Sequence, residues 1–517
     1  MLLDHHRAKI VPAQSLPGLL GARPRERRVV MCNGVFDVVH PGHLRHLLYA
    51  KSKAPVLVCS VTPDCYISKG PHRPHVPQDL RAANLALLDI VDYVVVGDAP
   101  DPSGLISLVQ PDFYAKGFEY APDLRERPIG ETAAVEAYGG QVLFTPGDVV
   151  YSSSALIGAA APDLRWEKLE LLMRRADFNF DDLRATVRDM RGQCAHVVGD
   201  SIVDSLLHCE MVGANAKTPT ISVLRDRRED FVGGAAVVAR HMRAAGALVH
   251  FSTVLGEDAF GAMVLDRLEA DGVVAWPVID GTRPTTVKEA VVVGGYRLLK
   301  IDTVDSRSIS DALLRQLCEQ VDDVSVGANS PSPGAVVFSD FRHGIFNART
   351  IPALAGAISE GCLRVADSQV ASRWGNIAEF SGFDLITPNE REARFTLGDQ
   401  DSGVRPLAAR LYAEARCRWL LMKMGERGVL GFVPGEHDAE RSFVLDSFAA
   451  GAAADPVGAG DAFLAYATLA LMARPQLEVA AVLGSFAAGV ECAYDGNVPV
   501  APERVLAKID EAEREVG

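Results

Sequence analysis

Two histidines three residues apart, His40 and His43, have types and a spacing that could do chemistry. They follow a short apolar run and precede a segment with leucines at helical spacing, so we expect them at the start of a helix. The unpaired backbone N–H groups and the dipole at such a start favour a phosphate. Two imidazoles there could donate hydrogen bonds to the charge that develops on a phosphoryl group during its transfer.

Two other interpretations of this histidine pair stay open. A His-x-x-His pair could be half of a metal site, but no cysteine or carboxylate lies nearby at ligand spacing. The two residues could also be ordinary surface histidines. The glycines at fixed offsets around them, Gly34 and Gly42, favour a built turn over that reading.

A second glycine-rich turn, Gly458-Ala459-Gly460, precedes Asp461 and an apolar segment rich in alanine and leucine. The peptide N–H groups of this turn can converge on an anion without obstruction by side chains. A carboxylate at the same entrance could accept a proton from an attacking hydroxyl. The alternative is a helix cap whose glycines serve close packing.

Alternating strand and helix patterns must position both turns. In the first part of the chain the strand patterns are 29–31, 56–61, 93–96, 113–116 and 141–144, with a helical pattern over 78–90. Two charged amphipathic helices follow over 164–175 and 180–190, with Asp177 as a cap. The later strand patterns are 196–198, 335–338, 363–366, 385–386 and 419–422, with a hairpin pattern around Gly294-Gly295. Such alternation indicates parallel α/β sheets, which bind ligands at the carboxyl ends of their strands.

Length, charge and cysteine usage narrow the class of protein. A chain of 517 residues exceeds one ordinary core and predicts two or more domains. Its net charge of −15 argues against a nucleic-acid partner. No apolar segment approaches the roughly 20 residues of a membrane span. Nine cysteines without paired spacing indicate reduced thiols and a cytoplasmic location.

The string Gly34-x-Phe36-Asp37 followed by His40-x-Gly42-His43 resembles the signature of the cytidylyltransferase-like nucleotidyltransferases. Together with later strings, it is similar to the nucleotidyltransferase half of the bacterial bifunctional heptose kinase/nucleotidyltransferases. The resemblance implies catalytic roles for His40, His43 and Lys69. It implies nucleotide contacts from Asn33, Gly34, Phe36, Asp37, Gly42, Arg81, Lys116, Ser152, Ser153 and Ser154.

The string that ends at Asp461 resembles the D-x-x-G-A-G-D signature of the ribokinase-like, or pfkB-type, sugar kinases. The resemblance implies that Asp461 is the catalytic base and also contacts the sugar, and that Asn389 and Glu392 organise Mg²⁺ indirectly. It implies further sugar contacts from Asp204, Gly233 and Gly234. It implies nucleotide or phosphate contacts from Asn389, Glu392, Lys423, Gly425, Gly428, Gly458, Ala459 and Gly460.

The predicted fold is α/β throughout. A Rossmann-like nucleotidyltransferase domain is expected over 1–160, a helical connector over 161–193, and a ribokinase-like domain with a small β lid over 194–517. The heptose enzymes usually carry these two domains in the opposite order. Two strings, Ala216 to Thr220 and Asp340 to Gly344, depart from the heptose pattern, so the identity of the sugar stays open.

The predicted function is a cytoplasmic bifunctional enzyme that makes a nucleotide-activated, heptose-like sugar. The C-terminal domain would phosphorylate a sugar or sugar phosphate with ATP. The N-terminal domain would join a sugar phosphate to a nucleotide from CTP or ATP and release pyrophosphate, with Mg²⁺. The expected partners are these small molecules and a second copy of the chain, with neither nucleic acid nor membrane. Two alternatives are a polyol phosphate acceptor, such as glycerol phosphate, and one domain acting as a non-catalytic nucleotide-binding regulator.

Overall fold

The structure is a computed structural model. It describes residues 6–67, 73–117, 130–145, 164–214, 221–327, 331–369, 376–434, 442–449, 457–494 and 497–516. These residues form two compact units. The first comprises the chain up to Leu164 together with Ser402–Pro406, and the second comprises nearly all of the rest.

The first unit is built on a five-stranded parallel sheet. Its strands are β1 (Val29–Gly34), β2 (Val56–Val61), β3 (Tyr93–Val96), β4 (Phe113–Gly117) and β5 (Gln141–Thr145). Its helices are α1 (Leu16–Leu20), α2 (Pro41–Lys51), α3 (Gln78–Ala86), α4 (Ser103–Val109) and α5 (Gly130–Glu136). The strand order is β3-β2-β1-β4-β5. The order therefore reverses between β1 and β4, which is where open parallel sheets bind ligands.

The second unit contains a nine-stranded sheet. Its strands are β6 (Cys194–Gly199), β9 (Leu248–Leu255), β10 (Val274–Ile279), β13 (Ala335–Asp340), β14 (Leu363–Ser368), β15 (Leu385–Ile386), β16 (Trp419–Lys423), β17 (Val429–Phe432) and β18 (Ser442–Leu445). The order is β10-β9-β6-β13-β14-β15-β16-β17-β18, antiparallel only at β16-β17-β18. The order reverses here between β6 and β13.

A separate four-stranded sheet forms the lid of this unit. Its strands are β7 (Ser201–Ala214), β8 (Ile221–Gly234), β11 (Val287–Val293) and β12 (Tyr296–Thr303), in the order β12-β11-β7-β8. Only Asp200 separates β6 from β7, and its carbonyl oxygen accepts the N–H of Ala235, which directly follows β8 (3.0 Å). The two ends of the β7–β8 hairpin are therefore fixed at one point.

Helices cover the second sheet. After Leu164 they are α6 (Arg165–Arg175), α7 (Phe180–Asp189), α8 (Ala235–Ala244), α9 (Ala259–Ala270), α10 (Asp311–Ser325), α11 (Thr350–Gly356), α12 (Glu390–Leu397), α13 (Val404–Ala415), α14 (Ala459–Ala473), α15 (Leu477–Glu491) and α16 (Pro502–Val516). Helices α14 and α15 are apolar on nearly all sides and are buried accordingly. Helices α6 and α7, from the stretch predicted to be a connector over 161–193, contribute side chains to the same core.

Two details of the predicted helices are wrong. The N-cap of α7 is Asn179, which forms a capping box with Asp182, and Asp177 lies before it with φ 53°. Helix α3 ends at Ala86, and Leu87 is 47% exposed. Leu48 of α2 is also exposed, because only one narrow side of each helix meets the sheet.

Candidate active sites

His40 and His43 lie face to face at the start of α2. Their ring centroids are 3.9 Å apart and their planes differ by 27°. His40 is the N-cap, and its Nδ1 accepts the backbone N–H of Gly42 at 3.1 Å. A Cβ at Gly42 would lie 2.9 Å from the His40 ring, so glycine is needed for this arrangement. The loop after β1 thus delivers two imidazoles to the carboxyl edge of the first sheet.

Both imidazoles are neutral near neutral pH. Burial, with a smaller contribution from the nearby His40 ring, lowers the pKa of His43 to about 4. Burial also lowers the pKa of His40. A neutral imidazole has one N–H to donate, so the pair can act as hydrogen-bond donors without carrying charge.

Phe36 packs against this histidine pair. Its φ of 49° lies in the left-handed region, which non-glycine residues rarely adopt. Its ring packs against His43 at a centroid distance of 5.2 Å, and a Cβ at Gly34 would lie 3.1 Å from that ring. The strained backbone conformation of Phe36 therefore occurs in the turn that positions the two histidines.

Asp37 and Arg81 hold loops in place. Asp37 is buried and accepts the backbone N–H groups of His75 (2.8 Å) and Val76 (2.9 Å). Arg81 is fully buried and donates to the Thr62 carbonyl (2.8 Å) and to Asp64 (2.6 Å). We expected Arg81 to contact a nucleotide; with its guanidinium inside the core, it instead fixes the loops at the ends of β1 and β2.

The structure describes some of the other residues predicted for the first site and not others. Asn33 lines a small cleft at the carboxyl ends of β1, β2 and β3, together with Thr62 and Asp98. Lys116, at the end of β4, forms an ion pair with Glu131 of α5. Lys69 and the serines Ser152, Ser153 and Ser154 lie outside the described residues.

The glycine turn of the second unit begins α14. Gly458 is the N-cap, with φ 88°. A Cβ there would lie 2.5 Å from Asn497 Oδ1 and 3.0 Å from Glu491 Oε1, so only glycine fits. Asp461 lies in the first turn, downstream of Ala459 and Gly460. The unpaired N–H groups of this helix start and the Asp461 carboxylate therefore lie at the same end of α14.

A lysine reaches this helix start from β16. A Cβ at Gly460 would lie 3.6 Å from Lys423 Nζ. Lys423 Nζ also lies 2.7 Å from Asp367 Oδ1, which in turn accepts the Thr387 hydroxyl at 2.7 Å. Burial alone would lower the pKa of Lys423, but Asp367 and other carboxylates more than offset it, so its pKa is raised. Lys423 therefore carries a fixed positive charge beside the glycine turn.

Asp461 has the electrostatics of a base matched to neutral pH. Burial raises its pKa to about 7, and the charge of Asp367 adds to this rise. The Lys423 ammonium opposes it. A carboxylate that titrates near neutral pH is well suited to take a proton from a hydroxyl.

Asn389 and Glu392 form a capping box at the start of α12. The Asn389 side chain accepts the Glu392 N–H (2.9 Å), and Glu392 accepts the Asn389 N–H (2.7 Å). The Asn389 amide also donates to Glu392 (2.6 Å). The segment lies beside β16 through a bridge between Asn389 and Lys423. The Glu392 charge acts on Lys423, which places it near the same centre.

The turn after β16 carries the two predicted glycines. Gly425 and Gly428 both have positive φ, 61° and 84°. A Cβ at Gly428 would lie 2.0 Å from the Leu445 carbonyl oxygen. This turn is therefore packed directly on the end of β18.

Asp204 enters the second site from the lid. It lies on β7 opposite Lys288 of β11, and a Cβ at Gly233 would lie 2.1 Å from its Oδ2. Gly234 has φ 66° and caps α8. Burial raises the pKa of Asp204, and the cations Lys288, Lys300 and Arg297 oppose the rise. The charge of Asp204 also acts on Asp461, so the lid and α14 face one centre.

A buried polar cluster, whose contacts were not predicted from the sequence, lies at the point where β6 and β13 meet. Asp200 accepts the backbone N–H groups of Phe341 (3.0 Å) and His343 (3.2 Å). Arg342 Nε lies 3.1 Å from Asp340. Burial lowers the pKa of His343 to about 4, with Lys288 adding to the effect. The Asp340–Gly344 string was noted in the sequence but Asp367 was not, although Asp367 directly follows the predicted strand 363–366.

Two known protein families match the two units of the chain separately. Residues 202–504, more than half of the 517, match the pfkB family of carbohydrate kinases. The chain belongs to the pfkB family. Residues 31–158 match the cytidylyltransferase-like family. The predicted family resemblance is therefore confirmed, including the order with the cytidylyltransferase-like part first.

Curated relatives of this pfkB chain carry the name bifunctional protein HldE. The protein from Geobacter metallireducens is 39% identical over 138 residues, which are 26% of this chain and 27% of the relative. The protein from Bradyrhizobium sp. is 28% identical over 342 residues, which are 64% of this chain and 66% of the relative. The chain thus aligns with about a quarter of the first relative and about two thirds of the second.

The kinase part also resembles a solved structure. Phosphofructokinase-2 from Escherichia coli, in complex with potassium, matches with a TM-score of 0.50 and 17% identity, covering 62% of this chain and all of that one. At this identity the match shows the fold alone. It confirms the predicted ribokinase-like sheet and lid of this pfkB member.

The described residues have three further features, which concern membrane-spanning helices, cysteines and clusters of metal ligands. None of their helices is long and apolar enough to span a membrane. All nine cysteines lie among them and are free thiols. Within the same ranges, no three histidine, cysteine or acidic side chains come close enough to chelate a metal ion by themselves.

Proposed function

We propose that the second unit transfers the γ-phosphoryl group of ATP to a hydroxyl of a sugar derivative. The observation that carries this proposal is Asp461 at the start of α14, with a pKa near 7 and Lys423 beside it. The hydroxyl oxygen attacks the γ-phosphorus while Asp461 takes its proton, and ADP leaves. The N–H groups of the glycine turn and the Lys423 ammonium stabilise the charge on the transferred group.

We propose that the first unit transfers a nucleotidyl group from CTP or ATP to a sugar phosphate. The acceptor phosphate attacks the α-phosphorus and pyrophosphate leaves, without a covalent enzyme intermediate. The neutral rings of His40 and His43 donate hydrogen bonds to the phosphates at the start of α2. The protein acts mainly by positioning and by neutralising charge.

We propose that Mg²⁺ enters the second site bound to the nucleotide. Proteins hold Mg²⁺ in such reactions with one or two carboxylates, and substrate phosphates and water supply the other ligands. Asp367 and Glu392 both act on Lys423, so they offer carboxylates near the proposed phosphates. The bound ion would neutralise charge on the leaving phosphates. The Asn389–Glu392 capping box fixes the carboxylate of Glu392 in place.

We infer that the kinase acceptor is itself phosphorylated. Three cations of the lid, Lys288, Lys300 and Arg297, act on Asp204, the proposed sugar ligand. A neutral sugar needs no such charge, whereas a sugar phosphate gains from it.

An acceptor panel tests the two proposed activities. We expect ADP release with sugar phosphates to exceed that with the matching neutral sugars by at least about tenfold in kcat/KM, because of the lid cations. We expect pyrophosphate release from CTP or ATP with sugar 1-phosphates. Pyrophosphate release only with polyol phosphates would assign the first unit that acceptor instead. ATP binding without turnover on any acceptor would contradict the kinase and favour a regulatory domain.

Gly233→Ala should weaken acceptor binding. The added Cβ would lie 2.1 Å from Asp204 Oδ2, so the carboxylate must move. We expect the KM for the acceptor to rise about tenfold, since one charge-assisted hydrogen bond is lost, with little change in the KM for ATP. Gly356→Ala is the matched control, because no atom lies within 4 Å of a Cβ there. An unchanged acceptor KM in Gly233→Ala would contradict the role of Asp204.

We further propose a cytoplasmic homodimer. The nine free cysteines support a reducing compartment. Every residue of β12 is exposed, including Leu299 (58%) and Ile301 (46%), and Leu224 of β8 is 62% exposed. An apolar sheet surface of this kind supports contact with a second copy through the lid.

A further inference from the structure

Helix α6 precedes the region that matches the pfkB family, yet it belongs to the core of the second unit. The match begins at residue 202, whereas α6 spans Arg165–Arg175. Its side chains Leu169 and Leu172 are buried in the same cluster as the apolar helices α14 and α15. Helix α6 therefore belongs to the second unit although it lies outside the matched residues.

Two side chains of α6 hold the segment that follows β18. Lys168 Nζ lies 3.0 and 2.8 Å from the two carboxylate oxygens of Asp446. The Trp166 ring packs on Phe448 at a centroid distance of 5.4 Å, and Phe448 packs edge-on against Phe486 of α15 at 4.8 Å. The Lys168 and Asp446 side chains are only 15% and 27% exposed, so this ion pair is shielded more than a surface pair.

The segment that begins at Asp446 lies directly against the Gly425–Gly428 turn, which is predicted to contact the nucleotide. A Cβ at Gly428 would lie 2.0 Å from the Leu445 carbonyl oxygen, 2.6 Å from the Asp446 carbonyl carbon and 2.7 Å from the Ser447 nitrogen. These distances leave no room between the turn and the segment. A shift of Asp446 would therefore be passed to the turn.

The other side of the segment lies against α15, which also reaches the glycine turn. A Cβ at Gly489 would lie 3.0 Å from the backbone of Phe448. Two residues further along α15, Glu491 Oε1 lies 3.0 Å from the position of a Cβ at Gly458. Close packing thus connects the segment held by α6 to both parts of the proposed kinase site.

We propose that Lys168 and Trp166 are positioning residues for the kinase reaction. They hold Asp446–Ala449 in place. This segment fixes the position of the Gly425–Gly428 turn relative to the start of α14. The inference rests on the proposed kinase function. Displacements of about 1 Å in such supports can lower a rate by about a hundredfold, so the contribution is measurable.

The test uses Lys168→Met in the full chain. We expect the KM for ATP to rise about fivefold and the kinase kcat to fall about tenfold, with pyrophosphate release from the first unit unchanged. Lys168→Arg should restore most of the kinase rate, because a guanidinium can also bind both oxygens of Asp446. A merely structural role would lower stability without this change in KM.

Arg184→Met is the matched control. Arg184 lies on α7 and pairs with Asp510 and Glu513 of α16, so it also ties this early helical segment to the rest of the unit. Its kinase kinetics should stay at the wild-type values. Wild-type kinetics in Lys168→Met, or an equal loss in Arg184→Met, would overturn the inference.

Two further measurements cover the cases in which Lys168→Met does not fold or the wild-type chain shows no kinase activity. If Lys168→Met does not fold, Asp446→Asn preserves the shape and should shift both kinetic constants in the same direction by about threefold. If the wild-type chain shows no ATP-dependent phosphorylation, the proposed function fails. Binding of a non-hydrolysable ATP analogue then tests the inference alone: Lys168→Met should weaken it about fivefold, and equal affinity would overturn it.

Discussion

Asp461→Asn should lower the kinase kcat by about 10³-fold, because it removes the base and leaves the shape of the site intact. Asparagine cannot take the hydroxyl proton at any accessible pH. The N–H groups of the glycine turn and Lys423 remain, so the KM for ATP should change by less than about twofold. ADP release measures the kinase, and pyrophosphate release from the first unit should stay at the wild-type rate.

The kinase rate should also depend on pH through Asp461. A base acts when deprotonated, and the pKa of Asp461 is raised to about 7. Kinase kcat in the wild type should therefore level off above pH 7 and fall about tenfold for each pH unit below it. The residual rate of Asp461→Asn should lack this acidic limb. Asp311→Asn, at a carboxylate that is 76% exposed, is the control. An unchanged kcat in Asp461→Asn would refute the assignment of the base.

His43→Ala should lower pyrophosphate release by about 10²-fold or more, because one donor to the developing charge is lost from the start of α2. The kinase of the second unit should be unaffected. With its pKa lowered to about 4, His43 is already neutral at pH 6, so wild-type release should show no titration of this group between pH 6 and 8. A continuous pyrophosphate assay with CTP or ATP measures both effects.

His46→Ala is the matched control for this experiment. His46 lies one turn further along the same helix, and its Nδ1 lies 3.2 Å from the Thr145 hydroxyl. Its removal should change the rate by less than about threefold, since it is not at the helix start. Equal losses in the two variants would mean that the helix, and not the His43 ring, is what matters.

Much of the fold could be predicted from local patterns. Apolar runs bounded by glycine and polar residues gave the strands, and β2, β3 and β15 have the predicted bounds. β2 and β15 are buried throughout and β3 at its two central residues, so their sequences are almost entirely apolar and easily recognised. The two glycine turns could be predicted because their spacing is local.

The errors come from contacts between distant parts of the chain. Arg81 has the pattern of an exposed or ligand-binding cation, and only the carbonyls of Val35 and Thr62 and the Asp64 carboxylate explain its burial. Asp200 meets His343 across 143 residues of sequence. No periodicity in either segment indicates this meeting, because the strand order of the sheet determines it.

The root of the lid has a mechanical consequence. Because β7 follows β6 after a single residue, Asp200, and spans 14 residues, the strand behaves as a lever arm of roughly 46 Å. A tilt of about 5° at that pivot would sweep the far tip through roughly 4 Å but move Asp204, four residues out, by only about 1 Å. Asp204, the proposed sugar ligand, would therefore move far less than the tip of the strand if the lid tilted.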